Sequence, residues 1–136
     1  MIYKVLDNNI AILKLFPGIT ENVVNSILTI TGLKAVILET YGSGNAPTDK
    51  WFIDALENAI NADIIIYNVS QCKSGSVELG KYETSVDLGR IGVVGGYDIT
   101  TESALTKLMF LLGCDYSNEK IIELLQTSIR GELTVV

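Results

Sequence analysis

Short β-branched apolar runs alternate along the chain with segments whose apolar residues recur at helical spacing. The run IAILKLF, Ile10–Phe16, predicts a strand that stops at Pro17-Gly18. Thr20 is then placed to cap a helix reaching about Leu28, with Val23, Val24 and Ile27 on one face. KAVILET, Lys34–Thr40, predicts a second strand, nearly continuous in apolar residues, as a strand covered on both faces must be. Thr48 or Asp49 can cap a helix to about Asn61, with Trp51/Phe52, Ala55/Leu56 and Ala59/Ile60 turned inward. DIIIYNV, Asp63–Val69, and IGVVG, Ile91–Gly95, predict strands three and four. A helix from Thr100 to Leu112 follows, with Gly113 as its stop, and Ser117 caps a last helix that buries Ile121, Ile122, Leu124 and Leu125.

This alternation predicts an α/β fold: a small three-layer αβα arrangement, Rossmann-like or flavodoxin-like, around a parallel sheet of about four strands. The 136 residues fit a single domain, 1–136, and show no internal repeat, linker or low-complexity segment. In such sheets the loops after each strand gather at one edge. Ligands bind there, near the switch in strand order. The loops concerned are 17–20, 41–47, 70–82 and 96–100.

Composition narrows the classes. Hydrophobic residues make up 48% and charged residues 19%, so the chain can build a core without metal or disulfide staples. The net charge of -6, with no Lys/Arg cluster, argues against a nucleic-acid partner or an anionic membrane surface, both of which need a basic footprint. The two cysteines, Cys72 and Cys114, read as thiols of a reducing compartment rather than a disulfide framework. The N-terminus lacks the apolar core of a signal peptide, and the expectation is a soluble, cytoplasmic protein without a membrane span.

Candidate chemistry sits in the loops. Gly42-Ser43-Gly44-Asn45 lies between a strand and a helix, where exposed backbone N–H groups can hold an anion or a carboxylate; a plain tight turn explains it as well. It has neither the P-loop ending nor a dinucleotide fingerprint. Cys72 beside Lys73 has the setting of an activated thiolate, but the chain contains no histidine. Cys–His and Ser–His couples are therefore impossible, and no metal-ligand spacing exists. Glu78, Glu83 and Asp87 read as a solvated helix face, and Gly95-Gly96-Tyr97-Asp98 as the turn that ends strand four ahead of the cap at Thr100-Thr101. The residues by themselves give loops fit for a small polar molecule and no complete catalytic set, metal site or cofactor site.

Four stretches, GLKAVILETYGSGNAP, NVSQCKSGSV, GKYETS and GVVGGYDITTESALTKL, together resemble the C-terminal domain of type I, cytoplasmic-type L-asparaginases. The resemblance runs from LDNNIAILKLFPG to the last helix, and the archaeal amidotransferase that makes glutaminyl-tRNA shares the domain type less closely. It implies a two-domain enzyme hydrolysing asparagine to aspartate and ammonia, with a threonine nucleophile in an N-terminal catalytic domain. This chain would be the C-terminal domain without that half, inactive alone, partnered by the N-terminal catalytic domain and forming a homo-oligomer. By the same resemblance Asn45 and Tyr82 complete the active site of a neighbouring subunit, orienting L-asparagine by hydrogen bonds.

Some members of that group bind a second asparagine as an activator, against residues matching Glu39, Thr40 and Tyr41 and Ser70, Gln71 and Cys72. Glu39 departs from the pattern, because the regulated enzymes carry arginine there. An anion in that place would repel the carboxylate that a guanidinium would clasp. The alternative reading is a stand-alone regulatory module that uses the same loops to sense an amino acid.

Overall fold

The computed structural model describes residues 6–40, 49–70, 83–114 and 116–127. Nine elements succeed one another there: β1 (Ile10–Lys14), α1 (Glu21–Leu28), β2 (Ala35–Thr40), α2 (Lys50–Asn61), β3 (Ile65–Ser70), α3 (Glu83–Ile91), β4 (Val94–Gly95), α4 (Thr101–Gly113) and α5 (Asn118–Leu125). The strands are parallel and ordered β1-β2-β3-β4. Helices cover both faces of this sheet, so the three-layer α/β architecture is the one the alternation predicts.

Strand side chains alternate between two cores. Leu13, Val36, Leu38 and Ile66 face α1, α2 and α3, where Val24, Leu28, Phe52, Leu56 and Leu88 meet them. Ala35, Ile37, Ile65, Tyr67 and Val69 face α4 and α5, against Ala104, Leu108, Leu111, Ile121 and Leu125. Three successive crossovers of one hand on one face step the chain across the sheet in sequence order, and only after β4 does it pass to the other face. Among the described strands the order therefore has no reversal. The expected crevice at a strand-order switch does not exist there, and the polar groups gather along the carboxyl edge instead.

Three helix caps are as the sequence predicts. The Thr20, Thr100 and Ser117 hydroxyls accept hydrogen bonds from the backbone N–H of Val23 (3.4 Å), Ser103 (3.1 Å) and Lys120 (3.2 Å). Asp49 is the N-cap of α2, without a side-chain capping bond. Several boundaries move. β1 ends at Lys14, and β3 starts at Ile65 because Asp63, at φ 68°, turns the chain after α2. Ile91 is the last residue of α3 rather than the first of a strand. Gly92, at φ 106°, breaks the helix, and the Val93 N–H returns to the Leu88 carbonyl. On α1 the buried pair is Val24 and Leu28, while Val23 is exposed. α4 extends through Gly113, with Cys114 as its C-cap.

The carboxyl end of α5 is held from below. The Tyr67 hydroxyl donates to the Leu125 carbonyl at 2.7 Å, and the buried Lys107 ammonium donates to the Thr127 carbonyl at 2.7 Å and to that of Leu125 at 3.4 Å. The last carbonyls of a helix have no intrahelical partner, and a cation there also complements the helix dipole. Tyr67→Phe should therefore lower stability by about 1 kcal/mol, since one net hydrogen bond is lost while Lys107 still reaches the same carbonyl. A shift of the urea midpoint at constant slope measures it.

At the opposite edge Lys34 and Asp7 form an ion pair, and the Lys34 hydrogen bond, helped by the Asn9 N–H, holds the Asp7 carboxyl below its ordinary value. A depressed carboxyl stabilises the fold above its unfolded value and loses that contribution as pH falls through the folded one. Lys34 is half exposed, so the pair contributes on the order of 0–1 kcal/mol. Asp7→Asn should be slightly less stable than the parent at pH 7, with the difference closing below about pH 4. Thermal unfolding of both proteins across that range checks the sign.

Candidate functional site

β2 and β3 end level with one another, Thr40 opposite Ser70 and Glu39 opposite Val69. Because successive side chains point to opposite faces, the polar residues at these ends divide into two groups. Thr40, Asn68 and Ser70 lie on the face covered by α1–α3, and Glu39 lies on the face covered by α4.

Thr40 and Asn68 are both fully buried. The Thr40 hydroxyl donates to Asn68 Oδ1 at 2.8 Å, with the Val69 carbonyl at 3.4 Å. Asn68 Nδ2 is buried and has no hydrogen-bond partner among the described residues. The Asn68 main-chain carbonyl accepts from the Gly96 N–H at 2.9 Å, tying the turn after β4 to the end of β3.

On the other face the Thr101 hydroxyl, in the first turn of α4, donates to the Glu39 carboxylate. A carboxylate at that helix start also meets the positive end of the backbone dipoles, next to the Thr100 cap. The anion expected to repel a carboxylate thus has a local role: Glu39 bonds to Thr101 and links β2 to α4. Between these features runs Gly96-Tyr97-Asp98. Tyr97 has φ 55°, an uncommon conformation for a bulky residue, and its ring packs against the α4–α5 core.

Of the residues singled out in the sequence, the structure therefore brings Thr40 and Ser70 to one face of the carboxyl edge and Glu39 to the other. Asn45, Tyr41, Gln71, Cys72 and Tyr82 lie outside the described residues, as does the Gly42–Asn45 loop. Asn68 was missed; its signal was a carboxamide interrupting the otherwise apolar run IIIYNV. Among the described residues no group of three His, Cys, Asp or Glu side chains is placed to hold a metal ion, and no helix is long and apolar enough to cross a membrane.

This arrangement fixes the strand ends and offers hydrogen-bonding groups. Comparison with known proteins gives it a context. The sequence matches the Glutaminase/Asparaginase C-terminal domain over residues 9–125. The chain belongs to this family.

L-asparaginase 1 of Escherichia coli K12 is 39% identical over 134 residues, covering 98% of this chain and 39% of that protein. The 60 kDa lysophospholipase of Mus musculus is 33% identical over 138 residues, 99% of this chain and 24% of that protein. The crystal structure of L-asparaginase I from Vibrio cholerae superposes with a TM-score of 0.89 at 36% identity, covering 95% of this chain and 39% of that one. The chain thus spans about two-fifths of the length of these asparaginases and corresponds to their C-terminal domain.

Gly96 has no room for a side chain. A Cβ there would stand 2.9 Å from the Asn68 carbonyl oxygen and 2.9 Å from Ile99 Cγ2. The first neighbour is backbone and cannot swing aside. Gly96→Ala should destabilise by about 1–3 kcal/mol, the usual range for overpacking. Chemical denaturation measures the loss, and a variant as stable as the parent would show that the turn can yield.

Proposed function

We propose that this chain serves as the C-terminal, site-completing domain of a cytoplasmic asparagine amidohydrolase, L-asparagine and water giving L-aspartate and ammonia. The observation that carries the reading is the family match over residues 9–125, joined to 39% identity with an L-asparaginase across nearly the whole chain. In this reading the domain works in a homo-oligomer with an N-terminal catalytic domain that these 136 residues do not include. Asn45 and Tyr82 border the substrate of a neighbouring subunit, where a carboxamide and a phenol orient the amino acid's charged ends by hydrogen bonding. No cofactor takes part, since the threonine nucleophile implied by the resemblance needs none.

Glu39 gives the regulatory side of the proposal its direction. Gln71 and Cys72 are retained from the activator-binding pattern, but the cation that would clasp an activator's carboxylate is replaced by a carboxylate engaged with Thr101. The parent enzyme is therefore not activated by asparagine in the manner of the regulated members.

Calorimetric titration of L-asparagine into the 136-residue chain, with ammonia assayed in the same sample, tests the reading. The expected result is neither binding nor turnover, the polar loops mattering only against a catalytic half. Binding without turnover would replace it with a stand-alone amino-acid sensor. Steady ammonia release would overturn it.

A further inference from the structure

Asn68 is costly where it stands. All six residues of β3 are buried, and on the same face Asn68 lies between apolar Leu38 and Ile66 on one side and Thr40 and Ser70 on the other. A carboxamide whose buried Nδ2 meets no partner among the described residues weakens such a strand, where a leucine would have strengthened it. Its contribution is convergence. The Oδ1 receives the hydroxyl of Thr40, the last residue of β2. Its main-chain carbonyl receives the N–H of Gly96, the first residue after β4. It stands two residues before Ser70, the end of β3 itself. Three strand ends, each the root of a connection at the carboxyl edge, are thus tied to one side chain and its backbone.

We propose that Asn68 is a positioning residue, its carboxamide held by Thr40 so that the roots of the 41–48 and 71–82 connections keep a fixed relation. Its meaning for function rests on the reading that these connections carry Asn45 and Tyr82. The mechanical claim does not. A hydroxyl–carboxamide couple sets direction as well as distance, which apolar packing between β2 and β3 cannot do. Because the couple sits at the last residue of β2, its loss acts on that strand end rather than on the ladder behind it.

Amide hydrogen exchange on the whole chain, read residue by residue, tests this independently of any catalytic role. Thr40→Val is nearly isosteric and removes the hydroxyl that donates to Asn68, together with its longer 3.4 Å approach to the Val69 carbonyl, whereas Asn68→Ala removes the acceptor. Each should speed exchange at the strand ends, residues 39–40, 69–70 and 96–97, by about tenfold or more, with residues 10–14, 35–38 and 103–112 unchanged, as local opening does. Thr40→Ser should behave like the parent, and the double variant should open no further than the more affected single one, because both remove the same couple. Three results would overturn the proposal: unchanged exchange at the three strand ends, an even rise across all core amides, or multiplying effects in the double variant. Thr40→Val keeps the test decisive if Asn68→Ala unfolds. Absence of any asparaginase role would leave these exchange results as they are.

Discussion

β2 and β3 have no solvent-facing side, and everything else in the domain is arranged to satisfy that fact. A parallel strand paired on both edges needs a hydrophobic cover above and below, because its alternating side chains point both ways. α1, α2 and α3 supply one cover through crossovers that each step the chain to the next strand. The other cover has to come from the chain after β4, which turns at Gly96 and lays α4 and α5 across the second face. That turn is tight because it leaves directly beside the β3 backbone. The lack of room for a Cβ at Gly96 and the left-handed backbone of Tyr97 are two consequences of the same close passage.

Polar groups are admitted to this interior only where a connection has to be fixed. Lys107 and Tyr67 are buried in the α4–α5 layer, and both end on carbonyls at the last turn of α5, groups that a helix cannot satisfy itself. Glu39 is turned toward the first turn of α4, so the long helix is met by a carboxylate at its start, and its neighbour α5 is met by a cation at its end. Thr40 and Asn68 form the corresponding couple in the other layer. Each polar contact joins two different elements, and each replaces a position where an apolar side chain would have packed without directing anything.

The strands, four of the five described helices and three of their caps were legible in the sequence because they depend on local periodicity and on hydroxyl residues at helix starts, whereas α3 showed only as a polar face. KAVILET and DIIIYNV could only be covered strands, and Thr20, Thr100 and Ser117 stand directly before amphipathic runs. The boundary at Ile91 was not legible. IGVVG reads as a strand by composition, and only the return of the Val93 N–H to Leu88 shows that its first residue closes a helix. The sequential strand order was likewise hidden, since an alternating βα pattern is compatible with several orders and the choice depends on which face each helix covers. Asn68 escaped because its partners lie 28 residues before it and at Gly96, and no local spacing encodes such contacts.

Strand alternation also constrains any ligand at the carboxyl edge. Glu39 and Thr40 are adjacent in sequence yet face opposite layers, with Thr101 on one side and Asn68 on the other. A small molecule touching both would have to sit over the rim of the sheet. A sheet that presented Glu39, Thr40 and Ser70 on one face would make a binding patch by itself. This sheet divides them, and uses its buried hydrogen bonds to hold the rim in place.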